Sequence, residues 1–305
     1  MIKLVLLSGF LGAGKTTLMT NILDSFADEK IGLIVNEFSE TGVDGSLLAR
    51  EGIRMKELTN GSIFCACIKD SFLKSLIDMS NQDISHLFIE PSGLADPSEM
   101  DKILETIKPM LGKAYDYRGV VCVIDAETFP KLSKVLPALT RQVEYCSVAI
   151  INKADMVDEC RLETITQLIN KINPNCEIII TSFCQLDAKE LAARLVPAKL
   201  AATDSTNTPE SRLYSLVLKP KGNVPVEALR EFVDVLSAHA YRIKGFLPSD
   251  SGVIAVNTVG GVNNIELWAG DTPPQGLVII SAIGVSIISR ITDALNNELK
   301  EKLSL

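Results

Sequence analysis

Residues 9–16 read GFLGAGKT, the spacing G-x-x-x-x-G-K-[ST]. Glycines at 9, 12 and 14, with Ala13 between the last two, let the backbone wrap a phosphate chain with its N–H groups pointing inward. Lys15 would reach the β- and γ-phosphates, Thr16 would ligate Mg2+, and the helix from Thr16 and Thr17 onward would aim its positive end at the same anion. Residues 152–155 read NKAD. Asp155 there would accept two hydrogen bonds from guanine, with Asn152 and Lys153 beside it. Adenine lacks that pair of donors, and a carboxylate buried against it would stay unpaired. Residues 90–93 read EPSG. Glu90 at a strand end suits Mg2+, and the Gly93 N–H suits a γ-phosphate. The three segments together imply binding and hydrolysis of GTP.

Two further segments carry chemistry less narrowly. Residues 36–44 read NEFSETGVD. Glu37, Glu40 and Asp44 are candidates for orienting Mg2+ ligands, for placing the attacking water or for another metal; a solvated acidic loop is the plain alternative. Cys65 and Cys67 stand two residues apart. Soft thiolates there suit zinc, copper(I) or cobalt, but two ligands do not close a zinc site. Others would come from Glu37, His86 or a second chain, which makes a homodimer a candidate assembly. On a strand the same pair would merely share an apolar face. A small-molecule kinase would share the phosphate loop and leave residues 152–155 as coincidence.

These segments need elements to position them. Apolar runs at 3–8, 31–36, 86–90, 119–124, 148–152 and 177–181 are continuous rather than alternating, as in strands buried on both faces of a parallel sheet. Helical patterns fall at 16–27, 72–79, 96–111 and 159–171. This is an α/β layered unit over 1–197. Residues 198–212 are small and polar and read as a linker. From 213 to 305 strands are expected at 213–218, 242–246, 252–257, 265–268 and 277–282. Helices are expected at 225–240 and at 286–303, the latter closing a smaller α+β unit.

The chain has 305 residues, 47% of them hydrophobic, and 30 Lys and Arg against 38 Asp and Glu, a net charge of -8. That balance speaks against general nucleic-acid binding, which needs cationic surface. The apolar start runs directly into the glycine loop without a cleavage site, so it reads as a strand rather than a signal peptide. No run reaches membrane-spanning length. Seven scattered Cys argue against a disulfide framework. A cytoplasmic protein is expected.

The segments GFLGAGKTT, VNEFSETGVD, ELTNGSIFCAC, IEPSGLADP, VVCVIDA and INKAD resemble, in order and spacing, the CobW-like P-loop GTPase family, which is related to the nickel-insertion GTPases of urease and hydrogenase maturation. The resemblance is strong over 1–185. It continues more weakly through YRIKGF at 241–246, the strand ending at Asn257 and the glycine pair at 260–261. It implies a P-loop GTPase domain with Glu90 where most GTPases have Asp. It also implies slow hydrolysis and a metallochaperone or cobalamin-related role toward a metalloprotein or corrinoid-protein client. Members usually carry Cys-x-Cys-Cys after Asn-Gly. Here those positions hold Ser62, Phe64 and Cys65, with Cys67 extra. The pair is either a remodelled site for Zn2+ or Co2+, or the mark of a branch that acts on a protein client without delivering metal.

Overall fold

The computed structural model describes residues 1–36, 52–58, 69–91, 93, 96–197, 214–259, 262–270, 273–295 and 297–304. Glu37, Glu40, Asp44, Cys65 and Cys67 lie outside them. The chain divides into two compact units, Met1–Thr208 and Pro209–Leu305.

The first unit is built on seven parallel strands in the order β3-β2-β4-β1-β5-β6-β7. They are β1 (Ile2–Gly9), β2 (Ile31–Asn36), β3 (Ile53–Leu58), β4 (His86–Glu90), β5 (Tyr115–Asp125), β6 (Val148–Asn152) and β7 (Glu177–Ile180). Leu4, Leu6, Leu7, Leu33, Leu87 and Ile150 are wholly buried, because helices cover both faces. Unbroken apolar runs are the sequence form of such strands. Helix α1 (Lys15–Ser25) lays Leu18, Met19, Ile22 and Leu23 against Val5, Leu33 and Phe88. Since all pairings are parallel, Gly9, Glu90, Asp125 and Asn152 end on one edge. Gly9 is level with Val123, and Asp125 with Asn152. Open parallel sheets bind ligands at that carboxyl end.

Strand β3 is not legible as an apolar run. Among the described residues it pairs only with β2, and it exposes Arg54, Met55 and Lys56, as edge strands commonly do. The expected helix at 96–111 is three pieces: a tight turn at Pro97–Glu99, helix α2 (Met100–Ile107) and a second turn at Lys108–Met110. Pro97 and Pro109 supply no N–H to a continuous ladder. Helices Lys69–Ser80, Phe129–Leu132, Pro137–Glu144, Glu159–Ile172 and Ala188–Arg194 also flank this sheet.

The second unit is an antiparallel sheet in the order β11-β10-β9-β12-β8-β13. Its strands are β8 (Ser215–Pro220), β9 (Ala240–Ser249), β10 (Gly252–Val259), β11 (Val262–Leu267), β12 (Gly276–Ser281) and β13 (Leu303–Ser304). Helices Val226–Ser237 and Ile287–Ala294 share its core with Leu218, Ile243, Leu247, Ile254 and Ile279. The expected closing helix at 286–303 is corrected. It stops after Ala294, where Leu295 turns extended, and resumes for one turn at Asn297–Lys300. Strand β13 then pairs with β8. Ile287, Ile291, Leu299 and Leu303 are separated by multiples of four residues, which reads as one helical stripe. All four are buried, but the break lets Leu303 reach the same core from a strand.

Candidate functional site

Strand β1 gives way at Gly9 to a loop whose glycines take left-handed angles, φ 134° at Gly9, 76° at Gly12 and 113° at Gly14. A side chain on Gly14 would run into the Asn152 amide. Helix α1 starts at Lys15 with no side-chain cap and no acidic residue in its first turn. No acidic residue of that turn competes for its leading N–H groups. Lys15 is 7% exposed. Its ammonium donates to the carbonyls of Gly9 (2.9 Å) and Phe10 (3.1 Å), so it lies within the loop it follows. Thr16 is half-buried and Thr17 exposed.

The end of β6 joins this loop to the turn after β7. Asn152 is buried. Its Nδ2 donates to the Ala13 carbonyl (2.8 Å), and its Oδ1 accepts the Cys184 N–H (2.9 Å). Both ends of that amide therefore serve to hold two loops together. Lys153 is left-handed at φ 61° and donates to Asp125 Oδ2 at 2.6 Å. Asp155 is exposed, and its carboxylate takes no hydrogen bond or ion pair among the described residues. Its backbone N–H donates to Ser182 Oγ (3.1 Å). The Ala154 N–H reaches the Thr181 carbonyl (3.1 Å).

Three contributors to this corner were not singled out from the sequence. The turn Thr181–Cys184 carries left-handed angles at two non-glycine residues, Phe183 (55°) and Cys184 (51°). Asn21 of α1 donates to the carbonyls of Cys184 (2.7 Å) and Phe183 (3.2 Å). Asp125 closes on Lys153. The only sequence signal for the turn is its place after an apolar strand. Burial pushes the Cys184 thiol up to about 12, so it packs as an apolar group rather than as a thiolate.

Glu90 stands half-buried at the end of β4. Gly93 is buried against the phosphate loop: a side-chain carbon there would come within 2.8 Å of the Leu11 nitrogen. Helix Pro137–Glu144 tethers this segment. Gln142 Nε2 donates to the Gly93 carbonyl (3.2 Å), and Arg141 Nε stands 3.6 Å from Asp96 Oδ2. Asp96 is wholly buried and caps the following turn by accepting the Ser98 N–H (3.0 Å).

His86 opens β4, at the opposite end of that strand from Glu90. It is buried against Phe26 and Phe88, with Nδ1 2.9 Å from Ser85 Oγ and 3.3 Å from Glu29 Oε2. It is a packed residue there. Among the described residues no cluster of three or more His, Cys, Asp or Glu could hold a metal ion. No described helix is long and apolar enough to cross a membrane.

Residues 3–180 match the model of the CobW/HypB/UreG nucleotide-binding domain. The chain is 27% identical to the "Zinc-regulated GTPase metalloprotein activator 1" of Dictyostelium discoideum, over 88% of this chain and 69% of that protein. It is 32% identical to "Zinc chaperone YjiA" of Escherichia coli (strain K12), over 61% of this chain and 59% of that one. The crystal structure of Zn(II)-bound YjiA GTPase from E. coli shares the fold, with a TM-score of 0.50 at 21% identity over 97% of this chain and 99% of that one. The chain belongs to the CobW/HypB/UreG family.

Proposed function

We propose that this CobW/HypB/UreG-family GTPase is a slow nucleotide switch that handles zinc for a metalloprotein client. The observation that carries the reading is a convergence at one sheet edge. The phosphate loop, the unpartnered Asp155 carboxylate and the tethered segment behind Glu90 all meet there. The loop backbone from Gly9 to Gly14 and the first turn of α1 bind the phosphates. Lys15 exchanges its two carbonyl partners for phosphate oxygens. Asp155 accepts the guanine N–H groups, while Asn152 keeps the phosphate and base loops in register.

The Thr16 hydroxyl and the Glu90 carboxylate are hard oxygen donors beside that cradle, which suits Mg2+. When bound, Mg2+ neutralises charge on the phosphate oxygens. Glu37 or Glu40 orients the attacking water. Arg141 and Gln142 are engaged as tethers, so neither serves as a finger on the γ-phosphate. Turnover is accordingly ~10⁻²–10⁻⁴ s⁻¹. Zinc, or cobalt, is cargo on Cys65 and Cys67, which lie in sequence between the two nucleotide-responsive segments 36–44 and 90–96. A corrinoid protein is one form the client takes in this reading.

A second reading is favoured by Phe64, which stands where the family motif has Cys. In it the switch docks on a protein client without delivering metal. The pure protein is expected to release phosphate from GTP and not from ATP. Lys15→Ala should lower turnover about 100-fold. Equal use of ATP overturns the guanine assignment. Zinc titration of wild type against the double variant Cys65→Ser/Cys67→Ser, with a GTP analogue bound, separates the two readings. Weaker binding by the variant supports cargo handling; identical curves leave the docking reading.

A further inference from the structure

The ends of β5 and β6 lie side by side, with Asp125 level with Asn152. The Asp125 carboxylate is 3% exposed and has three partners. Oδ1 accepts the N–H groups of Glu127 (2.9 Å) and Thr128 (3.3 Å). Oδ2 accepts from Lys153 Nζ at 2.6 Å. The Ala126 N–H also reaches the Asn152 carbonyl (3.1 Å), and Arg161 Nη2 holds the Glu127 carbonyl (3.1 Å). The anion is thus rigidly placed at the strand end and aimed at one lysine.

That lysine occupies an unusual backbone state. Lys153 sits at φ 61°, ψ 35°, and opens the tight turn Ala154–Met156. A Cβ disfavours this region, which persists where surrounding contacts over-determine it. The ion pair is such a contact. It is shielded on the aspartate side and charge-assisted, which makes it stronger than a surface pair. Asp155 lies two residues further on in the same turn, its carboxylate exposed. The direction of that carboxylate follows from the turn that Lys153 opens.

We propose that Asp125 is a positioning residue for purine selectivity: it holds Lys153 in the left-handed turn that aims Asp155 at the base. This rests on the guanine reading above. Asp125→Asn keeps an oxygen for the Glu127 and Thr128 N–H groups but loses the ion pair. In the full-length protein, the ratio of GDP to ADP affinity should fall about tenfold, the scale of a charged hydrogen bond misplaced. ADP affinity and the unfolding midpoint should stay near wild type. Lys153→Met removes the other partner from a half-exposed position and serves if the first variant fails to fold. Lys153→Arg, which keeps the charge, should retain most of the selectivity. The double variant Asp125→Asn/Lys153→Met should be no less selective than either single one.

A ratio unchanged in both single variants overturns the proposal. So does an equal loss of GDP and ADP, which marks a purely structural role. If wild type itself binds both nucleotides alike, the guanine reading fails instead.

Discussion

At the scale of single residues, one buried amide does more for this site than its position in a base-reading motif implies. Asn152 bridges a carbonyl 139 residues away and an N–H 32 residues away. Asn152→Ala would leave the Ala13 carbonyl and the Cys184 N–H without that partner. A buried polar group so orphaned costs about 1–3 kcal/mol. The expected outcome is a fall of that order in denaturant-derived stability. GDP and ADP affinity should weaken together, because both loops shift. An Asp125 variant should instead change the ratio alone. A selective loss of GDP binding in Asn152→Ala would place Asn152 on the base and remove the bridging account. The motif itself is readable from four consecutive residues, but the partners of its first residue are not.

At the scale of elements, helix Pro137–Glu144 holds the segment behind Glu90. Gln142 is 1% exposed and donates to the Gly93 carbonyl, while Arg141 faces Asp96. This helix was not read from the sequence. Its eight residues are too few to show a period, and its role is set by what it touches. Gln142→Ala removes the Gln142 hydrogen bond to the Gly93 carbonyl. Hydrogen exchange across Ser98–Met100 should speed up, because the capped turn follows that segment. GTP turnover should fall while GDP affinity holds, since the phosphate loop keeps its own bonds. Unchanged exchange would show the tether to be redundant with the Arg141–Asp96 pair. The apolar stripe of the last helix carries a related lesson. Its spacing by multiples of four is real, and all four residues are buried, yet such a spacing does not say whether the chain stays helical between them.

At the scale of the whole molecule, the sheet has two different ends. The carboxyl end gathers the residues proposed to bind nucleotide; the other end holds the buried His86. Burial lowers the His86 pKa below its ordinary value of about 6.5, with Lys3 and Arg118 adding to the lowering and Glu29 opposing it. The folded form therefore resists the proton. Its contribution to stability is present above about pH 6.5 and is lost as pH falls through the lower folded value. Wild type should lose denaturation midpoint on acidification from about pH 7 to about pH 5.5 more steeply than His86→Gln; parallel profiles would remove this account. The amino-acid sequence by itself determined the layered parallel architecture and the family, and it marked the glycine loop at 9–16 and the tetrapeptide at 152–155 that we propose bind phosphate and base. Each of these is written in contiguous residues or in the hydrophobicity of a single run, and such local patterns fix backbone turns and burial directly. Only the tertiary structure decided that Asn152 ties two loops, that Asp125 closes on Lys153, that Asn21 supports the turn after β7, and that His86 is core. Those pairings join residues from 28 to 163 positions apart across crossover connections. Strand order and register bring them together, and neither periodicity nor spacing along one chain specifies which strand will lie beside which.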